Sequence, residues 1–197
     1  MRAHLVLAVL TSLALAGCGS GPDGGSPDIA ATTSTSAMDG AVADPNAPVT
    51  AEDAAMPRNA QAFVDAVATS DGYELEAAKL AQSMSMNPGI RNYAGMMITA
   101  HTASSAELKA VSSRLAQPLI PAPKPDAEMA ADIAALKSAG PRFDQVFAQK
   151  QVAAHEKVLG LLQGYAAGGD DPALKDFAAK SAEVVTQHLD AARALKP

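Results

Sequence analysis

The residues of this chain best suited to chemistry are three histidines and one glutamate on the apolar faces of segments with helical periodicity. Between residues 90 and 115, His101 lies in the middle of a stripe of apolar residues spaced three or four positions apart. His155 and His188 lie in similar stripes further along the chain, and Glu74 lies in the stripe of the first segment. Titratable side chains that can bind metal are therefore predicted where core residues are expected.

The levels of these four residues along their helices can be compared. Glu74 and His101 each lie about 13 residues from the turn between the first two segments, and His155 lies about 14 residues into the third, so a rise of about 1.5 Å per residue places them in one layer. On the same measure His188 is displaced from His155 by roughly 6 Å along the axis. Three of the four side chains are predicted to lie level, with the fourth offset.

Two interpretations of this set remain open. A glutamate and two or three imidazoles inside a helical domain would suit a single Zn, Fe or Cu ion, with all four residues as candidate ligands. Alternatively, the histidines are ordinary core residues, one hydrogen-bonded to the Glu74 carboxylate and the others to Ser104, Ser181 or solvent. Glu76 is a second candidate for the acidic residue.

Methionines near the predicted turn at residue 87 provide another candidate site. Soft thioether groups suit Cu(I), whereas methionines at helical spacing also act as flexible core filler, which is the expected role. The four residues are Met84, Met86, Met96 and Met97.

Helix start signals define the elements that must position these residues. Asn59, Asn87 and Asp171 are candidate N-caps, and the last two precede a proline at the first helical position. The proline-rich stretch 118–125 predicts an extended connection, and Asp126 is a candidate cap for a short helix after it. The third long helix is predicted to begin at the Gly-Pro pair that ends this short helix.

The composition favours helices over sheets. Hydrophobic residues make up 48% of the 197-residue chain but aromatic residues only 4%, and alanine, leucine and methionine are better helix formers than strand formers. We predict an all-α domain over residues 59–197, an antiparallel four-helix bundle with one extra short helix in the long connection.

The N-terminus has the features of a lipoprotein export signal. Arg2 precedes an apolar run over residues 5–15 that is too short to span a bilayer. The sequence Leu-Ala-Gly-Cys at 15–18 resembles the lipobox of bacterial lipoproteins, which are cut before a cysteine that carries the lipid. Cys18 is also the only cysteine of the chain and has no disulfide partner within it. We predict a signal peptide over residues 1–17.

Residues 18–58 are predicted to be a lipidated cysteine and a disordered tether. The stretch is rich in small and polar residues without apolar periodicity, so it cannot bury enough surface to offset its chain entropy. Several acyl chains on Cys18 would anchor the protein stably to a membrane. Gly19 stands where lipoproteins of the inner membrane tend to carry aspartate, so the resemblance implies the periplasmic face of the outer membrane.

The charge of the chain argues against nucleic acid as a partner. Its formal net charge is -6, and no basic cluster interrupts the acidic balance. Phosphate-binding glycine loops, Gly-x-Ser-x-Gly elbows and zincin motifs are also missing from the sequence. The sequence identifies no protein partner.

Short motifs occur in order along the first, second and fourth long segments. They are Phe63-Val64, Ser70-Asp71-x-x-Glu74, Leu80-Ala81, Tyr93-Ala94-x-Met96-Met97, His101-Thr102, Leu108, Phe177-Ala178 and His188-Leu189. Over about residues 59–195 this pattern resembles a family of exported bacterial proteins without an assigned function. Members are often described as outer-membrane proteins and are placed in the ferritin-like superfamily.

The resemblance implies a ferritin-like bundle but not ferritin chemistry. Di-iron proteins of that fold use a Glu-x-x-His pair from each of two helices. The residues three before His101 and His188 are Ile98 and Val185, so the bridging carboxylates are missing. A di-iron oxidase is therefore not expected.

From the sequence we expect a lipid-anchored lipoprotein whose bundle is a non-enzymatic binding or envelope-associated module with no certain cofactor. The alternative is a metal-binding protein that holds a single transition-metal ion through Glu74, His101 and His155, with His188 as a further ligand.

Overall fold

The computed structural model describes residues 57–197, which form five α-helices, one 3₁₀ turn and no β-strand. The helices are α1 (Ala60–Met84), α2 (Pro88–Ser112), α3 (Ala127–Ser138), α4 (Phe143–Gly168) and α5 (Pro172–Arg193). The prediction of an all-α domain with an extra short helix is confirmed. The predicted signal peptide, lipidated Cys18 and nearly all of the tether lie outside the described residues. None of the five helices is both long and apolar enough to cross a membrane.

Four of the helices begin at the polar residues that the sequence indicates. Asn59, Asn87, Asp126 and Asp171 are the N-caps of α1, α2, α3 and α5. Each side-chain oxygen accepts a hydrogen bond of 2.8–3.2 Å from a backbone N–H in the first turn. These bonds satisfy donors that have no partner within the helix.

The start of α4 differs from the prediction. The chain passes through a 3₁₀ turn at Gly140–Arg142, and the α-helix begins at Phe143. Gly140 has a φ of 54°, in the left-handed region that side chains with a Cβ avoid. This reversal lets the chain leave α3 and enter α4, so the glycine-proline pair is a turn rather than the first residues of the long helix.

Two helical hairpins make up most of the domain. Only residues 85–87 separate α1 from α2, and only residues 169–171 separate α4 from α5. The hairpins pack against each other through α1 on α4 and α2 on α5, while α3 lies against α1 and α4. All four long helices therefore contribute side chains to one interior.

The interior consists of two apolar clusters with a polar layer between them. One cluster is centred on residues of α1, α2 and α4 near the α1–α2 turn, including Tyr93 and Phe147. The other lies toward the α4–α5 turn and includes Phe63 and Tyr165, whose rings stack 3.9 Å apart. Apolar residues thus shield the polar layer from both ends of the domain.

The proline-rich connection runs alongside α1 in register with it. Alternate residues of the connection hydrogen-bond to every fourth residue of the helix, and each bond uses a side chain of α1. The bonds join Gln61 to the Ile120 carbonyl (3.0 Å), Asp65 to the Ala122 N–H (2.8 Å) and Thr69 to the Lys124 N–H (2.9 Å). Two extended residues span about 6.2 Å and four helical residues about 6 Å, so the two repeats match.

The three tyrosines of the chain, Tyr73, Tyr93 and Tyr165, are all buried. Burial raises the pKa of each phenol above its ordinary value of 10.0. The negative charge of Glu74 adds to this rise in pKa for the first two, and a hydrogen bond to Asp170 adds to it for the third.

We expect the phenols to stay protonated in the folded protein above pH 10, where those of the unfolded chain ionise. The unfolded state then releases protons that the folded state keeps, so the free energy of unfolding is unaffected by these groups below pH 10 and falls as the pH rises above it. Phenolate absorbance and circular dichroism during an alkaline titration measure this. Phenolate should appear only with loss of helix; phenolate in a fully helical protein near pH 10 would contradict the burial.

Candidate metal centre

Three histidines from three helices meet in the polar layer. His101 of α2, His155 of α4 and His188 of α5 have ring centroids 5.7–5.9 Å apart, a nearly equilateral triangle. One ring nitrogen of each lies within 4.8 Å of the other two. The residues are 5%, 0% and 7% exposed. Since His4 is the only other histidine of the chain, every histidine of the described domain belongs to this cluster.

His188 lies closer to the other two histidines than the comparison of levels along the predicted helices indicates. The predicted offset of roughly 6 Å from His155 treats both helices as straight rods and compares Cα positions. Every Cα–Cβ bond tilts toward the N-terminus of its helix. Because α4 and α5 run in opposite directions, the two side chains lean toward each other along the axis, which reduces the offset.

Hydrogen bonds at one ring nitrogen orient two of the imidazoles. Nδ1 of His101 lies 2.8 Å from Oδ1 of Asp71, and Nδ1 of His155 lies 2.8 Å from the main-chain oxygen of Gln151. Carboxylate and carbonyl oxygens accept hydrogen bonds, so Nδ1 donates in both cases and Nε2 carries the lone pair of the neutral ring. Both Nε2 atoms are thereby left free to bind a ligand.

Each of the three histidines has a ring nitrogen without a hydrogen-bond partner in the described domain, and such a nitrogen is free to bind a metal ion. In the part of the chain that the structure describes, Nε2 of His101, Nε2 of His155 and Nδ1 of His188 are buried and unpartnered. A buried polar atom without a partner costs about 1–3 kcal/mol. Three such atoms in one small cluster are an unusual cost for a core that serves packing alone.

Asp71 is the hydrogen-bond partner of His101, a role that was expected of a different acidic residue from the sequence. Its carboxylate is 3% exposed; Oδ1 accepts from His101 and Oδ2 accepts from the Ser105 hydroxyl at 3.0 Å. The sequence interpretation gave the histidine bond to Glu74, one helical turn away. The available signal was the Asp-x-x-Glu spacing, which places both carboxylates on one face of α1.

Glu74 lies beside the cluster and outside the set of mutually close nitrogens. It is fully buried, and its Oε2 accepts a hydrogen bond of 2.7 Å from Nε2 of Gln151. Its Oε1 has no hydrogen-bond partner among residues 57–197 and lies 3.6 Å from Nδ1 of His155. Gln151 is not among the site residues predicted from the sequence, although it precedes His155 by one helical turn on the same face.

The other candidates lie elsewhere. Glu76 is half exposed and pairs with Lys137 on the surface. Neither Ser104 nor Ser181 hydrogen-bonds to a histidine within the described range. Of the four methionines near the first turn, Met97 is buried in the apolar cluster and the other three are exposed. The structure thus brings together three of the four predicted ligands and places Glu74 next to them.

Burial and charge act on the titratable groups of the centre in opposite directions. Burial lowers the pKa of His155 and His188 to about 4 and raises that of Glu74 to about 7. Burial is also the largest influence on His101, but the hydrogen bond to Asp71 and the two nearby carboxylates outweigh it, so the pKa of His101 lies above 6.5. Two of the three imidazoles are therefore neutral, the form that binds metal, at neutral pH.

The geometry is close to that of a three-histidine metal site. Tetrahedral zinc with Zn–N bonds of about 2.0–2.1 Å places its nitrogen ligands about 3.4 Å apart. From separations within 4.8 Å, each nitrogen would reach such a position by moving inward by less than about 1 Å. A carboxylate on the far nitrogen of a ligating histidine, as Asp71 is on His101, is the usual outer partner in such sites.

Together the fold and the cluster define an all-helical protein with a buried three-histidine centre. The chain belongs to the family described as Domain of unknown function (DUF4142), whose model matches residues 45–195. The predicted membership of a family without an assigned function is thereby confirmed. No curated protein and no solved structure matches the chain.

Removal of the Asp71 carboxylate is expected to destabilise the metal-free protein. In the Asp71→Ala variant, Nδ1 of His101 and the Ser105 hydroxyl lose their acceptor inside the core, so the free energy of unfolding should fall by about 2 kcal/mol. Urea denaturation at pH 7 with a chelator present measures this. Glu76→Ala on the exposed face of the same helix is the control and should change stability by less than about 0.5 kcal/mol. Equal effects of the two substitutions would contradict the structural role of Asp71.

Proposed function

We propose that this protein is a lipid-anchored metal-binding protein of the outer membrane, in which His101, His155 and His188 ligate one transition-metal ion. The observation that carries the proposal is the cluster of three buried histidines, in which one ring nitrogen of each lies within 4.8 Å of the other two and each ring has a buried nitrogen without a hydrogen-bond partner among the described residues. The ligand of the predicted binding module would then be the metal ion itself.

The energetic cost of the unpaired buried nitrogens favours a metal ion over three ordinary core histidines. Leaving three buried nitrogens unpaired costs about 1–3 kcal/mol each, and one ion would satisfy all of them at once. Most buried side-chain polar atoms have a hydrogen-bond partner, whereas each of these histidines has one buried nitrogen without a partner among the described residues, and the three rings lie within 5.9 Å of one another. The hydrogen bond from His101 to Asp71 supports the same conclusion, because it occupies Nδ1, orients the ring and leaves Nε2 free to bind an ion.

The donor set restricts the class of metal. Three imidazole nitrogens suit Zn, Cu or Fe better than Mg or Ca, which prefer oxygen ligands. The fourth coordination position would be taken by water, with the Glu74 carboxylate beside the centre at 3.6 Å from Nδ1 of His155. This arrangement suits a site that binds an ion for storage, sensing or redox work.

The proposed architecture is an antiparallel four-helix bundle of ferritin-like type. Four helices of 22–26 residues, two tight hairpins and one long connection that carries α3 support it. The metal chemistry is proposed to differ from that of di-iron proteins of this fold. Those proteins need a carboxylate three residues before each ligating histidine, and Ile98 and Val185 stand there instead.

Elemental analysis tests the proposed metal centre. The full chain, purified in detergent without a histidine tag from cells supplied with Zn, Cu and Fe, is expected to contain about one transition-metal ion per chain. The His155→Ala and His188→Ala variants should each lose most of the bound metal, because only two imidazole ligands remain in each. Glu156→Gln is the matched control, because Glu156 follows His155 but is exposed and pairs with Arg193 on the surface.

Two results would overturn the metal proposal. One is wild-type protein with no metal above background that also takes up none on addition of Zn²⁺, Cu²⁺ or Fe²⁺. The other is metal that remains bound in both histidine variants. Either result would leave the non-enzymatic module without a metal as the function to pursue, with its outer faces as the binding surface.

Fatty-acid labelling tests the proposed anchor. In a bacterial host that processes lipoproteins, the wild-type chain should incorporate a labelled fatty acid and fractionate with the outer membrane. Cys18→Ala should abolish the label because the acylated thiol is lost, whereas Ser20→Ala should retain it. Gly19→Asp should leave the label intact but move the protein to the inner membrane. Label that persists in Cys18→Ala would refute acylation at this residue.

A further inference from the structure

The buried charges of the domain are concentrated at the three-histidine centre. Among residues 57–197 the buried acidic side chains are Asp71 and Glu74, and no lysine or arginine is buried. Both acids lie on the face of α1 that meets the histidines. The centre is therefore surrounded by two carboxylates that have no permanent cation within the core.

All three imidazoles must be neutral to bind a metal ion, and the two carboxylates then give the site a combined charge of minus two when they are ionised. A divalent ion would bring the buried site to zero net charge. A monovalent ion such as Cu⁺ would leave one uncompensated negative charge, and a trivalent ion such as Fe³⁺ would leave one positive charge. An unbalanced charge is costly in an interior shielded from water.

We infer that the centre is built to hold a divalent ion, and that Asp71 and Glu74 set this preference by compensating its charge while the three histidines bind it. The inference rests on the proposed metal-binding function and adds the charge of the ion and two specificity-determining residues. It requires that neither carboxylate be consumed as a ligand. Both oxygens of Asp71 already accept hydrogen bonds, and Glu74 is held by Gln151 through Oε2 and lies outside the set of mutually close nitrogens.

Amide substitutions can remove each charge while keeping most of the contacts. In Asp71→Asn the amide oxygen can accept from His101 and the amide nitrogen can donate to Ser105. In Glu74→Gln the amide oxygen can accept from Gln151 in place of Oε2. Because the two substitutions act independently, failure of one variant to fold still leaves the other to test the inference.

The experiment compares the affinities of the full chain for Zn²⁺ and Cu⁺, both measured by competition with chelators. The Cu⁺ measurement is made in the absence of oxygen. A carboxylate interacts twice as strongly with a dication as with a monocation at the same position. Each amide variant is therefore expected to lose about 100-fold in Zn²⁺ affinity and about 10-fold in Cu⁺ affinity. The ratio of the two affinities should fall about 10-fold per substitution and about 100-fold in the double variant.

Glu76→Gln is the matched control, since it removes a carboxylate from the exposed face of the same helix. Both affinities should be unchanged in this variant within about twofold, because solvent screens the lost charge. Circular dichroism and a melting curve of each variant confirm that it is folded before its affinities are compared.

Equal losses of Zn²⁺ and Cu⁺ affinity in the amide variants would overturn the inference, since they would mean that the carboxylates only orient the histidines. Unchanged affinities would overturn it as well. Failure of the underlying proposal looks different, because the wild-type chain would then bind neither ion stoichiometrically. If the wild-type chain binds an ion but the ratio of Zn²⁺ affinity to Cu⁺ affinity is the same in every variant, the charge inference alone is refuted.

Discussion

The hydrogen bond between Asp71 and His101 is the interaction on which the centre of this domain depends. It joins α1 to α2 at 2.8 Å inside the core and fixes which nitrogen of His101 is left free of a hydrogen bond. Ser105 holds the second carboxylate oxygen, so the acid itself cannot rotate freely. Without this pair, Nδ1 of His101 would lose its acceptor, and the tautomer that leaves Nε2 free would no longer be fixed.

A polar layer of this kind is tolerable because of what surrounds it. Each long helix contributes apolar residues to a cluster on either side of the layer, so the same four helices that carry the polar groups also exclude water from them. The low polarity strengthens every electrostatic interaction within the layer. The same low polarity raises the pKa of Glu74 and lowers that of His155, so the two apolar clusters and the chemistry of the centre cannot be considered separately.

Much of this organisation is predictable from sequence because its signals are local. The N-caps at Asn59, Asn87 and Asp171 and the histidines in apolar stripes depend only on neighbouring residues. The choice of Asp71 over Glu74 as the partner of His101 was not predictable, since it depends on how α1 is rotated against α2. Side-chain direction, which spacing along the chain does not record, likewise explains why His188 lies nearer to the cluster than its Cα level suggests.

The matched spacing of hydrogen bonds between the proline-rich connection and α1 limits which insertions and deletions the connection can accept. Loops generally accept insertions because their backbone bonds mostly to water. Here the backbone at Ile120, Ala122 and Lys124 is bonded to side chains spaced four apart on a helix. One added residue would turn the groups that follow it away from α1, whereas an added pair keeps alternate residues facing the helix. Length variation in this stretch should therefore favour steps of two.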